Sequence, residues 1–408
     1  MEAAMVEVSA REPRERLSAF VEQVVRPLPH VRQRENALVY VRGLVEQGGR
    51  KSLQPTLLRL EESAARYESV QQFLADSPWD PECVVRACAE RVCPEIGVLA
   101  WVVDDTGIVK QGKHSPGVKR QYSGTLGKIG NCQITVSVHA VGARGTVPLG
   151  WSLYLPEEWC ADELRRKRAK IPVEVGFETK PQLAGGLCAQ AAGWQIPLAP
   201  ILGDTAYGDD SAFRTRLHAH ELEYLLAVSA QVSVYGPETT FAVPERNGSV
   251  GRRRSVPRPD RKPESLRALA ERLPKNAWKR LPCRIAANGE EIESRFAFVR
   301  VVATNPVRSK HLPPRAEWLI IEWPEGAEAP TDYWLSSLPA DTPLPELIRL
   351  AKLRWRIEHD YRELKDALGL DHFEGRSYRG WHHHVTLVSI AHAFLTLERQ
   401  RPKTRAAA

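Results

Sequence analysis

The sequence predicts an α/β protein: a mixed sheet with flanking helices, preceded by a helical N-terminal domain and interrupted by a β-rich insertion. Three observations carry this. Apolar residues recur at helical spacing up to about Asp80, the period becomes strand-like after Pro94, and strands then alternate with helices as far as Val228. At 408 residues the chain is long enough for two or three folding units. The composition shifts put boundaries at 1–95, 96–228, 229–340, 341–400 and a basic tail 401–408.

The first segment is helical because Leu17, Phe20, Val21 and Val24, then Leu38, Val41, Leu44 and Val45, stand three or four apart. Pro27, Pro29, Gly48 and Gly49 interrupt it. Arg11, Arg14, Arg16, Arg26, Arg32, Arg34, Arg42 and Arg50 stud the same stretch, as DNA-contacting cations or as a solvated face.

Strands follow. Val98 to Asp104 is a buried run ending in aspartate; Cys132, Ile134, Val136 and Val138 alternate with Gln133, Thr135, Ser137 and His139; Val147 to Leu155 is a third strand. Three in succession predict an antiparallel start to the sheet. A helix near Thr179 to Trp194, a strand from Leu198 to Asp204, a helix near Ser211 to Leu222 and a strand from Tyr224 to Val228 come next.

The insertion opens with a Pro/Arg-rich stretch, Gly251 to Pro263, read as a solvent-facing loop or a DNA-backbone contact. Strands from Phe296 to Thr304, Trp318 to Glu322 and Tyr333 to Leu338 complete it. From Pro343 onward Leu350, Leu353, Ile357, Tyr361, Leu364 and Leu368 form one stripe, predicting a single long helix that ends at Gly369. Arg354, Glu358 and Lys365 fall beside that stripe on one face. His382 to His384 read as a partly exposed helix start rather than a metal cluster, since adjacent side chains diverge. Val385 to Leu397 is apolar on every side and suits a buried core helix.

Composition excludes several classes. Lys and Arg number 57 against 50 Asp and Glu, a net +7 that favours phosphate polymers as partners. Cys83, Cys88 and Cys93 repeat every five residues, which fits neither zinc spacing nor a disulfide framework. No apolar run is long enough to cross a membrane, and the charged N-terminus lacks a leader's apolar segment, so a cytoplasmic protein is expected.

An aspartate ending a buried strand is costly without a partner, and two on neighbouring strands repel unless cations lie between them. Strand Asp104, strand Asp204 and helix Glu358 follow the order in which a ribonuclease-H-like core gathers three carboxylates around two metals. Hard oxygens suit Mg2+ or Mn2+, two ions of which can activate a nucleophile and stabilise a leaving oxygen in phosphodiester chemistry. Asp104 or Asp105 can be the first ligand; alternation puts them on opposite faces, and Asp104 is favoured because it forms Asp-x-Thr with Thr106. Lys110, Lys113, Lys119, Arg120 and Lys128, set among glycines, form a loop that can approach a phosphate strand or serve as a plain hairpin connection.

Val103 to Gly107 (VDDTG), Gly117 to Gly124 (GVKRQYSG), Asn131 to Gln133 (NCQ), Gly203 to Gly208 (GDTAYG), Tyr333 to Pro339 (YWLSSLP) and Arg354 to Glu358 (RWRIE) together resemble the motifs of bacterial insertion-sequence transposases of the DDE type, across most of the chain. The resemblance implies a ribonuclease-H-like core with a β-rich insertion and a helical DNA-binding domain in front. It makes Asp104, Asp204 and Glu358 the catalytic metal ligands. Arg354 and Lys365 become the Arg and Lys of the Tyr-x2-Arg-x3-Glu-x6-Lys signature, which touches DNA near the scissile end. The signature's tyrosine is Ala351 here, and Tyr361 is its possible substitute. Relatives that pass through a DNA hairpin grip a flipped base with aromatic side chains; Trp355, Trp318 or Trp323 are the candidates here, though a core tryptophan is the favoured role for each.

The implied activity is cleavage at transposon ends and transfer of 3'-hydroxyls into target DNA. The partners are the terminal inverted repeats, target DNA and a second copy in a synaptic homodimer, with nucleoid association when bound and no membrane. The alternatives are an inactive or domesticated relative that only binds DNA, and a metal nuclease of the same fold without strand transfer.

Overall fold

The computed structural model describes residues 13–46, 48–243, 256–285, 290–304 and 315–402. Arg11, Gly251 to Ser255 of the Pro/Arg-rich stretch and the tail from residue 403 lie outside the described residues. The chain divides into two compact units, 1–197 with 356–408, and 198–355.

Among the described residues the first unit opens with five helices: α1 (Pro13–Val24), α2 (Val31–Val45), α3 (Leu53–Arg59), α4 (Ala64–Ala75) and α5 (Pro81–Ile96). Leu17, Phe20, Val21 and Val24 are buried, as their spacing predicts. Asp80 caps α5 by accepting the Glu82 amide, Pro81 fills its first turn, and Gly97 ends it at φ 64°, where a side chain would be strained.

Four strands follow: β1 (Val98–Val109), β2 (Lys119–Ser123), β3 (Lys128–Gly142) and β4 (Gly145–Leu153). All pairings are antiparallel; β3 takes β1 on one side and both β2 and β4 on the other. Gln133, Thr135, Ser137 and His139, the polar side of the β3 alternation, are as buried as its apolar side, so both faces of this sheet are covered. Short helices α6 (Glu157–Ala161) and α7 (Glu163–Arg168) lead to α8 (Lys180–Ala192), which begins with a Thr179–Gln182 capping box.

The second unit contains β5 (Ile201–Gly203), α9 (Thr205–Gly208), α10 (Ser211–Ala219) and β6 (Tyr224–Val228), with β5 and β6 parallel. After α11 (Leu266–Glu271) come β7 (Trp278–Ile285), β8 (Glu291–Ala303), β9 (Glu317–Trp323) and β10 (Asp332–Ser336), an antiparallel series whose last strand pairs with β6. The result is a mixed sheet. Leu266 and Leu269 of α11 pack with Val301, Leu319, Ile321 and Leu335 into this unit's own core. β7 has no counterpart in the sequence reading: Pro282 and the cations Lys279, Arg280 and Arg284 hide it, as edge-strand residues do.

Helix α12 (Leu344–Ala351) ends the second unit, and α13 (Arg356–Asp366) and α14 (Tyr378–Arg399) belong to the first. The single long helix expected from Pro343 to Gly369 is therefore two, broken by turns at 352–355. Tertiary anchors override the apolar stripe here: Lys352 pairs with Glu322 on β9, and Arg356 donates to the Gly142 carbonyl on β3 at 2.7 Å. Arg354 consequently sits in the turn and not on the helix face with Glu358. The three histidines are also relocated: all lie within α14, and His383 and His384 are fully buried. Among the described residues no helix is long and apolar enough to cross a membrane.

Candidate active site

β1 does not stop at Asp104 but runs on to Val109, so both aspartates stand inside the strand, opposite Ser137 and Val136 of β3. Alternation sends them to opposite faces. The Asp105 carboxylate is held by Lys180 of α8, Nζ to Oδ2 2.9 Å. Asp104 shares its face with its register partner Ser137, whose Oγ lies 2.7 Å from the Tyr361 hydroxyl of α13. Asp104 Oδ1 also accepts the Asp105 amide at 2.7 Å.

Helix α13 carries Glu358 in its first turn, exposed, while Ile357, Asp360, Tyr361 and Leu364 turn inward. Tyr361 is one turn beyond Glu358, so the face of β1 bearing Asp104 is the face on which the Glu358 helix lies. Burial, and after it the charge of Asp104, pushes the Tyr361 phenol well above its ordinary range. Lys365, one turn further, donates to Thr106 Oγ1 (2.7 Å), the Gly107 carbonyl (2.9 Å) and Thr125 Oγ1 (3.1 Å). Burial lowers its pKa, with Asp371 and Asp366 opposing.

A second, wholly buried constellation pins the helix between these points. His139 Nδ1 lies 3.0 Å from Asp360 Oδ2, and Thr146 Oγ1 donates to Asp360 Oδ1 at 2.8 Å. His392 of α14 stands 4.0 Å from Asp360 and 3.9 Å from Glu363, which Arg399 also pairs. Burial raises the Asp360 carboxyl, but the His139 bond and the nearby His392, His139 and Thr146 outweigh it and hold it below its usual range. Sequence reasoning missed this group. Its signal was present: Asp360 stands three residues after Ile357 and four before Leu364, on the apolar stripe, where a carboxylate needs partners.

The remaining sequence-selected residues lie elsewhere. Asp204 belongs to the second unit, directly after β5, where it caps α9 by accepting the Ala206 amide at 2.9 Å. Lys119 on β2 pairs with Glu158 at 3.0 Å, and Arg120 beside it is exposed. Tyr361 is buried with its hydroxyl at Ser137, unlike a residue facing DNA. Trp355 is exposed, whereas Trp318 donates to the Pro339 carbonyl and Trp323 to that of Ala327. Structure thus groups Asp104, Tyr361, Lys365 and the Glu358 helix in one unit. Among the described residues no three His, Cys, Asp or Glu side chains form a group ready to hold a metal ion.

Comparison with known proteins adds two findings. A family model described as DDE superfamily endonuclease matches residues 23–290. Over 164 residues the chain is 28% identical to the probable transposase for insertion sequence element IS701 of Microchaete diplosiphon. That stretch covers 40% of this chain and 40% of the relative, so the chain spans about two fifths of the relative's length.

Proposed function

Since the chain belongs to the DDE superfamily endonucleases, we propose that it is an insertion-sequence transposase that cleaves DNA at transposon ends and joins the freed 3'-hydroxyls to target DNA. Asp104, Asp204 and Glu358 are the proposed catalytic residues, in a ribonuclease-H-like core with a β-rich insertion at 229–340. The helical segment 1–95 is the proposed DNA-binding domain. The observation that carries the reading is the Ser137–Tyr361 contact, which ties the Glu358 helix to the Asp104 face of β1. The transposase likeness over part of the chain supports it.

The three carboxylates present only hard oxygens, which suits Mg2+ or Mn2+ better than zinc. When bound, a pair of such ions supplies Lewis-acid activation of the nucleophile and stabilisation of the leaving oxygen. The chain's own residues do the rest. Asp104, Asp204 and Glu358 would hold the ions. Arg354, Lys119 and Arg120 neutralise backbone phosphates. Lys365 fixes the distal end of the Glu358 helix on β1 through Thr106 and Gly107 and offers its positive charge beside Asp104. The partners in this reading are the terminal repeats, target DNA and a second copy in a synaptic dimer, in the cytoplasm and on the nucleoid when DNA is bound.

The test is a nicking and joining assay on labelled DNA carrying the element's ends, with Mg2+. Asp204→Ala and Glu358→Ala should lose cleavage while gel-shift binding persists, because their side chains hold metal rather than DNA. Cleavage retained by either variant refutes the site. Cut ends that never join a target plasmid make the protein a nuclease instead.

A further inference from the structure

The segment between Asp105 and Glu157 contains no acidic residue, yet it carries Lys110, Lys113, Lys119, Arg120, Lys128 and Arg144. Three of these are committed elsewhere: Lys110 to the carbonyls of Asp371 and Phe373, Lys119 to Glu158, and Arg144 to the Glu95 carbonyl. Lys113, Arg120 and Lys128 are exposed. Among them the β2–β3 hairpin displays two large apolar side chains, Tyr122 (64% exposed) and Ile129 (60% exposed), which are direct register partners. Single exposed apolar residues are ordinary; an in-register aromatic–aliphatic pair on a hairpin that itself carries no acidic side chain is not.

The hairpin is anchored where it matters. Ser123, the neighbour of Tyr122, turns inward against Gly107, so closely that a Cβ there would meet its Oγ at 2.0 Å. Thr125 in the turn lies 3.3 Å from the Gly107 amide and from Thr106 Oγ1, and receives Lys365. Tyr122 therefore faces outward from a turn fastened to the strand that bears Asp104, with Arg120 two residues away on the same side.

We propose that Tyr122 and Ile129 form a stacking surface for an unpaired nucleobase, with Arg120 on the adjoining phosphate. An aromatic face with a guanidinium beside it accepts any base without regard to sequence, and a hairpin whose own charges are all positive admits a polyanion. This rests on the reading of DNA as substrate, and it adds a preference for DNA opened at the point of attack.

The experiment compares the full-length protein's affinity for a fluorescent blunt duplex and for the same duplex with a single-stranded overhang, in EDTA. The wild type should favour the overhang about tenfold, as one stacked base provides. Tyr122→Ala should lose that preference and keep its blunt-duplex affinity, Tyr122→Phe should retain both, and Arg120→Ala should weaken both substrates. Equal affinities in the wild type, or an unchanged preference in Tyr122→Ala, overturn the proposal. So does a DNA-free dimer in sedimentation that Tyr122→Ala dissolves, which would give the face to a second copy. Glu358→Ala separates the two readings: its loss of cleavage with the overhang preference intact supports both, and its continued cleavage overturns the catalytic assignment while leaving the hairpin result standing.

Discussion

Adjacent aspartates on one strand have acquired different surroundings. Asp105 is tied to Lys180, whereas Asp104 faces Tyr361 and Ser137 under α13. If Asp104 is the ligand, Asp104→Asn should abolish cleavage, while Asp105→Asn should cost only the strength of a partly exposed ion pair and reduce cleavage by less than about tenfold. Equal losses measured on the same DNA would void that distinction. The His139–Asp360 pair makes a second residue-scale prediction. Removing one partner of a buried pair strands the other, at about 3–5 kcal/mol. Asp360→Ala should lower the denaturation free energy by that amount in a urea titration, where an exposed α13 control such as Arg362→Ala should shift it by less than about 0.5 kcal/mol.

At the level of elements, α14 makes stability depend on pH. Burial pushes His382 and His383 down to about 4 and His384 to about 3, against 6.5 for an unfolded histidine. Nε2 of His384 faces the Leu370 carbonyl at 3.1 Å and so carries the proton, leaving Nδ1 to accept from Tyr40 at 2.9 Å. The native state thus binds fewer protons than the unfolded chain below pH 6.5. Stability is complete above that value and falls as pH drops from 6.5 towards 4. Thermal unfolding midpoints should decline over this window, and His384→Gln should give a shallower decline. An unchanged slope would remove His384 from the account. These histidines show what the sequence withheld. Their composition suggested a helix start; their burial depends on Leu74, Trp79 and Tyr40 arriving from far along the chain. By contrast Tyr224 to Val228 and the Thr179 helix start were legible, because a short apolar run and capping are local. The break at 352–355 was not, since the apolar stripe runs through it and only Lys352 and Arg356, pulled to different strands, reveal it. Of the proposed site, the positions of Asp204 directly after a strand and Glu358 on a helix were readable, while the interior position of Asp104 in β1 and the Asp360 constellation required the fold.

Considered as a whole, the molecule is one unit interrupted by another. Residues 198–355 hold their own apolar cluster, built from α11 and strands β8, β9 and β10. Expressed alone, this segment should show a single cooperative thermal transition and dispersed amide resonances; a featureless spectrum would mean that its core needs the rest of the chain. The first unit has the opposite character, since its sheet and the helices from Arg356 onward are separated by the whole inserted segment. During synthesis the ribosome releases β1 and β3 long before α13 and α14. Until those helices emerge, Ser137, His139, Thr146 and Trp151 lack their partners Tyr361, Asp360 and Ser389, and a polar sheet face stays open to water. A message cut short between Asp105 and Arg356 yields a polypeptide that retains Asp104 but lacks Glu358, so on the proposed assignment no such product is a nuclease.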